Sequence, residues 1–417
     1  MRWLALALLV PFAGCYSDVA IDDPDGAPLP WDAGAPRDAG TRDGGPRDAE
    51  PPPDGFVPPP GKCVRGAGVD LLFVVDNSNS MAEEQASLAE ELPSVVRSLV
   101  DPPDADGDGT PDWVPIEDLR VGVVTADMGT GGFTVPTCAR SDFGDDGVLR
   151  TDGATAIDGC RATYPTFSRF DPAGGSSAEE FAFDVSCVTT VGTGGCGFEQ
   201  QLEASLKAVS PSAPTAATGP GYEPPTFFGG TSGHADGANA GFVRDDSLLA
   251  VVVVTDEEDC SASDPELFNP SSARYGSTDL NLRCFVHEAE ALHPVSRYVE
   301  GLAALRATRP DLLAFALIAG VPPDLATPAP TDEAYQAILD DPRMETRIDP
   351  SMPTRLVPSC DVPGRGLAFP PRRLVEVARR LSPARSTVQS ICQADFSPAA
   401  AAIARLVGTR ACRAYEE

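Results

Sequence analysis

Four stretches of this chain are apolar at nearly every position, not at every second one, and that continuity restricts the fold more than any other feature. They are Leu71–Val75, Leu119–Thr125, Leu248–Thr255 and Leu312–Ile318, with Val251-Val252-Val253-Val254 at the centre of the third. A strand with one wet face alternates apolar and polar residues. A strand that is apolar throughout has to be covered on both faces, the condition of a parallel sheet between two layers of helices. Helical periodicity fills the gaps. Ala82–Leu99 puts Leu88, Leu92, Val95, Val96 and Leu99 on one side, and Pro93 is expected to kink or split that helix. Phe198–Val209, Pro294–Leu305, Arg372–Leu381 and Ala399–Val407 are the other expected helices. Together these predict an α/β, doubly wound, mostly parallel sheet with helices on both faces. Ala126–Gly195, Ser210–Gly241 and Pro322–Pro371 are Gly- or Pro-rich and are expected as long loop insertions, some bearing disulfides, in a single core.

The N-terminus speaks to compartment. Arg2 precedes an apolar stretch from Trp3 to Phe12, too short to cross a bilayer and of the length of a secretion signal. Phe12-Ala13-Gly14-Cys15 resembles a bacterial lipobox, which implies that residues 1–15 are a lipoprotein signal ending at a lipidated Cys15. Residues 16–62 are rich in Pro, Asp, Gly and Ala with few apolar residues, and are expected to be a disordered tether. The folded domain is then 63–417. The expected location is exported and lipid-anchored in the cell envelope, on an outer membrane, facing the periplasm or the surface. Setting Cys15 aside leaves ten of the eleven cysteines, an even number that suits up to five disulfides in an oxidising compartment. The short loops Cys138–Cys160, Cys187–Cys196 and Cys260–Cys284 are the expected pairs. With 31 basic against 62 acidic residues the net charge is −31, which excludes a nucleic-acid partner and leaves the lipid as the only expected attachment to a membrane.

The first apolar run ends in Asp76-Asn77-Ser78-Asn79-Ser80. One carboxylate and two hydroxyls at alternate positions are hard oxygen donors, suited to Mg²⁺, Mn²⁺ or Ca²⁺. The third run ends in Thr255-Asp256-Glu257-Glu258-Asp259. Ligands of a doubly wound sheet bind beyond the carboxyl ends of its strands, where strand order reverses. If the two runs are neighbours, Asp76 and Asp256 share one crevice. Ser80-Met81-Ala82-Glu83 also fits a capping box, so Ser80 has a purely structural alternative.

Phe73-Val74-Val75-Asp76-Asn77-Ser78-Asn79-Ser80-Met81 and Val253-Val254-Thr255-Asp256 resemble the first and last motifs of the von Willebrand factor A (vWA) domain with its metal-ion-dependent adhesion site. The resemblance spans roughly Gly68 to Val407. It implies that Ser78 and Ser80 bind Mg²⁺ or Mn²⁺ directly, that Asp76 and Asp256 help hold the ion, and that a carboxylate exposed on a partner protein completes the shell. It also implies a threonine from a Gly-rich loop. Thr193 in Gly192-Thr193-Gly194-Gly195-Cys196-Gly197 is the candidate, with Thr125 an open alternative.

A second cation candidate is the Asp104–Asp112 turn, where Asp104, Asp106, Asp108 and Asp112 occupy positions one, three, five and nine of a calcium-loop pattern with Gly109 at six. An acidic turn joining a helix to a strand is the structural alternative. Asp142, Asp145 and Asp146 are expected to be a solvated loop. No catalytic motif is present: Gly-x-Ser-x-Gly, the phosphate-cradling loop and His-Glu-x-x-His are all missing. His287 and His293 are six residues apart, about 240° around a helix, so they do not share a face. The expectation is a cell-envelope binding protein acting through a divalent cation, and not an enzyme. A structural envelope protein with a vestigial site stands second, and a metal-dependent hydrolase third.

Overall fold

The computed structural model describes residues 67–326, 331–362, 367–393 and 395–413. The expected signal, the lipidation site Cys15, the tether and Cys63 lie outside them.

The four apolar runs are strands: β1 (Val69–Val75), β2 (Leu119–Thr125), β4 (Leu248–Val254) and β5 (Leu313–Ala319). They are joined by β3 (Ser168–Phe170) and β8 (Ser386–Ser390) in one sheet of order β3-β2-β1-β4-β5-β8, parallel except for β3. A two-stranded ribbon, β6 (Cys360–Asp361) with β7 (Leu367–Ala368), lies apart from it in pairing.

Alternate side chains of each strand enter different cores. Leu71, Phe73 and Val75 pack with Leu92, Val96 and Leu99 of α1 (Ala82–Val100), Phe181 and Val185 of α2 (Ala178–Thr189), and Ile403 and Val407 of α9 (Ser397–Arg413). Leu72, Val74, Val251 and Val253 face the opposite way. They meet Leu202 and Leu206 of α3 (Gln201–Val209), Tyr298 and Leu302 of α6 (Val295–Ala304), Tyr335 of α7 (Asp332–Asp340), and Leu374 and Val377 of α8 (Arg372–Leu381). The sheet is therefore doubly wound, with helices on both faces, and this is why its strands are apolar throughout.

A third, smaller core sits in the insertions. Val135, Phe198, Leu267, Phe268 and Tyr275 surround two disulfides, Cys138–Cys196 and Cys260–Cys284. The short helices α4 (Arg283–Val286) and α5 (Glu288–Ala291) belong to this region. Cys160–Cys187 and Cys360–Cys392 are the other two pairs, and Cys412 is also disulfide-bonded.

Several expectations are corrected. Cys138 does not pair with Cys160, nor Cys187 with Cys196. Nearness in sequence misled, because the supposedly irregular insertion contains α2. Ser177 caps that helix through Glu180 N, and Phe181, Ala182, Val185 and Val188 bury its face. The docked helix sets Cys187 against the Ala154–Cys160 turn, where Ala154 N donates to Cys187 O at 2.8 Å. The freed Cys138 and Cys196 meet where Gly197 N donates to Thr137 O. Helix α1 is not split at Pro93 but runs on to Val100, where its packing on α2 and α9 outweighs one lost backbone donor. Pro322–Pro371 is mostly irregular, as expected, apart from α7, capped by Thr331. Strand β8 was not expected at all. Its serines are buried but bonded: Ser386 Oγ lies 2.7 Å from Tyr335 Oη and 2.8 Å from Ala378 O.

Candidate metal centre

Strand β1 has β2 on one side and β4 on the other, so strand order reverses beside it. The register aligns Val75 with Val254, and Asp76 N donates to Val254 O at 2.9 Å. The ends of β1 and β4 are thereby locked together, and Asp76 and Asp256 emerge at one crevice.

Asp76 is fully buried. Its Oδ1 accepts from Ser78 N at 2.8 Å, a turn that curls the chain over the strand end, and its Oδ2 accepts from Thr255 Oγ1 at 2.6 Å. The curl brings Ser78 Oγ to 2.9 Å from Ser80 Oγ, and Ser80 Oγ donates to Asp256 Oδ1 at 3.2 Å. Four of the residues singled out from sequence thus converge from two strand ends. Ser80 does not cap α1. Its hydroxyl is turned to Asp256, and neither α1 nor the short turn Asn79–Met81 before it has a side-chain cap.

Thr193 is half-buried and makes no hydrogen bond to these four residues. Thr125 Oγ1 donates to Asp145 Oδ2 at 2.6 Å. The side chain that the Gly-rich segment delivers is Glu199, directly before α3. It is buried, and the Ser78 side chain is among the groups that act on its carboxyl. Nothing in a motif marks Glu199; the available signal was an acid at the mouth of an amphipathic helix.

The Glu199 segment is held from several sides. Gln85 Nε2 donates to Asp76 O at 3.0 Å and to Gly192 O at 2.7 Å. Gly195 N donates to Asn77 O at 2.7 Å, and a Cβ at 195 would lie 2.2 Å from Asn77 Oδ1, so a side chain there would force the Asn77 amide to move. Asp259 Oδ1 accepts from Leu202 N and Ser261 Oγ from Glu203 N, both at 3.0 Å, capping α3 from the loop after β4.

The acidic run after β4 divides its work. Asp256 enters the crevice. Glu258 accepts from Arg373 N at 3.0 Å and from Asp259 N at 2.9 Å, anchoring the N-terminus of α8. Asp259 pairs with the buried Arg373, Nε to Oδ2 at 3.2 Å.

Electrostatically the crevice is overloaded with acid. Burial pushes the Asp256 carboxyl well above its ordinary range, and the carboxylates of Asp76, Glu257, Glu84 and Glu199 push it further. Burial, Asp76 and Glu257 do the same to Glu199. Asp76 is raised by burial against three opposing hydrogen bonds, and Glu84 is raised to about 7, chiefly by burial. Asp256 Oδ2 and Glu84 Oε2 are buried without a hydrogen-bond partner. Buried carboxylates are paired, protonated or metal-bound. Hard oxygens, orphaned lone pairs and surplus negative charge are chemistry that suits a divalent cation, and Ser78, Ser80, Asp76, Asp256 and Glu199 are the residues that could hold one; among the described residues their carboxylates are less closely gathered than those of the exposed Asp104–Asp108 turn.

Asp104, Asp106 and Asp108 are exposed, with carboxylate oxygens within 4.8 Å of one another. Asp104 accepts from Asp108 N and Gly109 N, Asp106 from Asp108 N, and Asp108 from Thr110 N. Asp112 stands aside, its Oδ1 near Ala105 N at 3.3 Å and its Oδ2 3.6 Å from Arg405. These bonds make a well-formed acidic turn in their own right.

The Asp145–Asp146 segment is not a solvated loop. Asp145 holds Thr125 and pairs with Arg140, while Asp146 pairs with Lys207 at 2.5 Å and with His234 at 3.0 Å. Burial of Lys207 requires such a partner. His287 is also bonded locally, to Thr278 and Glu290.

The four disulfides suit a compartment in which disulfides persist. Among the described residues no helix is long and apolar enough to cross a membrane. No protein-family model matches the chain, and no curated protein is significantly similar to it.

Proposed function

We propose that this protein is a cell-envelope lipoprotein, anchored through Cys15, whose vWA-like domain grips a protein partner through Mg²⁺ or Mn²⁺. One observation carries this reading: two facing serine hydroxyls lead to Asp256, whose Oδ2 is left unpartnered, with the buried acids Asp76 and Glu199 close enough to raise its pKa. Ser78 and Ser80 would hold the ion, with Asp76, Asp256 and Glu199 supplying the balancing charge. The bound ion supplies a positive centre for a carboxylate on the partner. The role is adhesive or scaffolding, not catalytic.

Mn²⁺ titration of the purified protein, followed by electron paramagnetic resonance, tests it. One site is expected, and Asp76→Ala is expected to lose it with an unchanged far-ultraviolet circular dichroism spectrum. Pull-downs from envelope extract should then depend on the cation and fail in EDTA. Mn²⁺ bound equally by wild type and Asp76→Ala would sink the assignment. Capture of the same partner in EDTA would instead favour a structural envelope role, to which the disulfides are equally suited.

A further inference from the structure

A cavity of about 310 Å³ opens on the same edge of the sheet as the acid cluster. Its walls come from the loop after β2 at Met128 and Gly129, the loop after β4 at Ala262 and Ser263, and Gln200. Gln200 directly follows Glu199, so successive residues send one side chain to the acids and one to the cavity. Phe227 and Phe268 are buried in its lining. Phe228, at its mouth, is 40% exposed and stands 5.3 Å, centroid to centroid, from Phe143, which is 38% exposed. Two exposed aromatic rings beside an aromatic-walled opening form the kind of apolar surface that marks a recognition site. The volume is at the lower end of ligand pockets, enough for a single ring with its substituent.

The charges around it define what enters. Asp146 is spent on Lys207 and His234. Glu203 is spent on Arg297, through bonds of 2.9 and 3.0 Å, and on the Tyr298 hydroxyl at 2.9 Å. Lys207 and Arg297 already lie over the Phe227 ring at 5.5 and 5.1 Å, which disfavours a cationic guest. The two carboxylates disfavour an anionic one. Gln200 and Ser263 have their polar groups bonded to Gly129 O, Ala262 N and Ala291 O. Apart from the hydroxyl of the exposed Thr226, the exception is His293. Its Nε2 lies 3.8 Å from Glu203 Oε1, beyond a hydrogen bond, and its ring makes no other. Burial lowers its pKa, so the imidazole is neutral at physiological pH and able to donate or accept.

We propose that this cavity is a subsite for one uncharged, hydroxyl-bearing aromatic ring: a tyrosine side chain of the same partner whose carboxylate reaches the cation, with its hydroxyl met by His293. The link to that partner rests on the proposed function; the ring specificity does not.

Saturation-transfer NMR on the whole protein tests the two parts separately. In EDTA, N-acetyl-tyrosinamide is expected to receive saturation at its ring protons, N-acetyl-phenylalaninamide less, and N-acetyl-lysinamide none. Phe228→Ala, a change at an exposed ring, should weaken the tyrosine probe by roughly 5-fold, and His293→Ala should erase the preference for tyrosine over phenylalanine. In Mg²⁺, an acetylated peptide with one Asp and one Tyr, drawn from a set with one to four residues between them, should bind at least ~10-fold more tightly than the tyrosine probe and lose that gain in EDTA. No transfer to N-acetyl-tyrosinamide, or transfer indifferent to Phe228→Ala, overturns the subsite. Binding of the probe with no Mg²⁺-dependent gain for any peptide overturns the shared partner and leaves the ring specificity standing.

Discussion

Ser80 Oγ donates to Asp256 Oδ1 at 3.2 Å, joining residues 176 positions apart, while the other oxygen of that carboxylate, Oδ2, is buried with no partner. Half of Asp256 is thus satisfied by the protein and half is not. An ionised carboxylate in that position destabilises the fold until something positive reaches it.

A substitution at Asp256 should therefore have effects of opposite sign in the two states. Asp256→Asn removes a buried charge set among four other acids, so in EDTA at pH 8 it is expected to raise the melting temperature. The same variant is expected to lose the Mg²⁺-induced rise seen in wild type and at least ~10-fold in Mn²⁺ affinity. Thermal scans with and without Mg²⁺ check both signs; a variant destabilised equally in both would defeat the account.

pH should act through the same acids. Asp256 and Glu199 have folded-state pKa values above their ordinary ones, as do Glu84, at about 7, and Glu258, at about 8. The folded state then binds more protons than the unfolded one. Stability from these groups is complete below the ordinary carboxyl range near 4.5 and is lost as pH rises through about 8. In EDTA the melting temperature is expected to fall from pH 5 to pH 8, and saturating Mg²⁺ should flatten most of that slope. Glu258→Gln should remove a further part of it whether or not Mg²⁺ is present, since Glu258 sits on the α8 backbone and not in the crevice.

Glu199 and Thr193 make opposite predictions. Glu199→Gln keeps the shape and removes an acid that acts on the Ser78 and Asp256 crevice, and is expected to weaken Mn²⁺ binding by ~10-fold or more. Thr193→Ala is expected to change it by less than about 2-fold. Calorimetric titration of both variants decides between the acid and the threonine that the vWA resemblance implies.

The Cys138–Cys196 bridge closes a loop of 58 residues and lies three positions before Glu199. Replacing both cysteines with serine is expected to lower unfolding stability by about 2–4 kcal/mol and to weaken Mn²⁺ binding as well. The Cys360–Cys392 double serine variant, whose bridge does not join the Glu199 segment, should show the first effect without the second.

The sheet was legible because apolar continuity reports burial on both faces, and Leu71–Val75 or Leu248–Val254 have no other use. Asp76, Ser78, Ser80 and Asp256 were legible because they follow strand ends, where topology gathers ligands. Glu199 was not, since what positions its segment is Gln85, Asn77 and Asp259, contacts from distant parts of the chain that no local motif records. Strand β8 hid behind its serines, whose burial depends on distant partners such as Tyr335. Cys260–Cys284 was read correctly from its short loop, but Cys138–Cys160 and Cys187–Cys196 were misread for the same reason: their pairing follows where α2 docks, not the distance along the chain.

The position of β1 and β4 in the sheet has a mechanical consequence. Both are interior strands, each with a parallel neighbour on either side, and both present the same end to the crevice. Tension applied at Ser78 and Asp256 runs along two adjacent strands at once. To yield, each strand must slide against its neighbours and break many ladder bonds together. A load on an edge strand such as β3 would open its bonds one after another. A load taken at this point would be borne by ladder bonds of interior strands and not by the edge of the sheet.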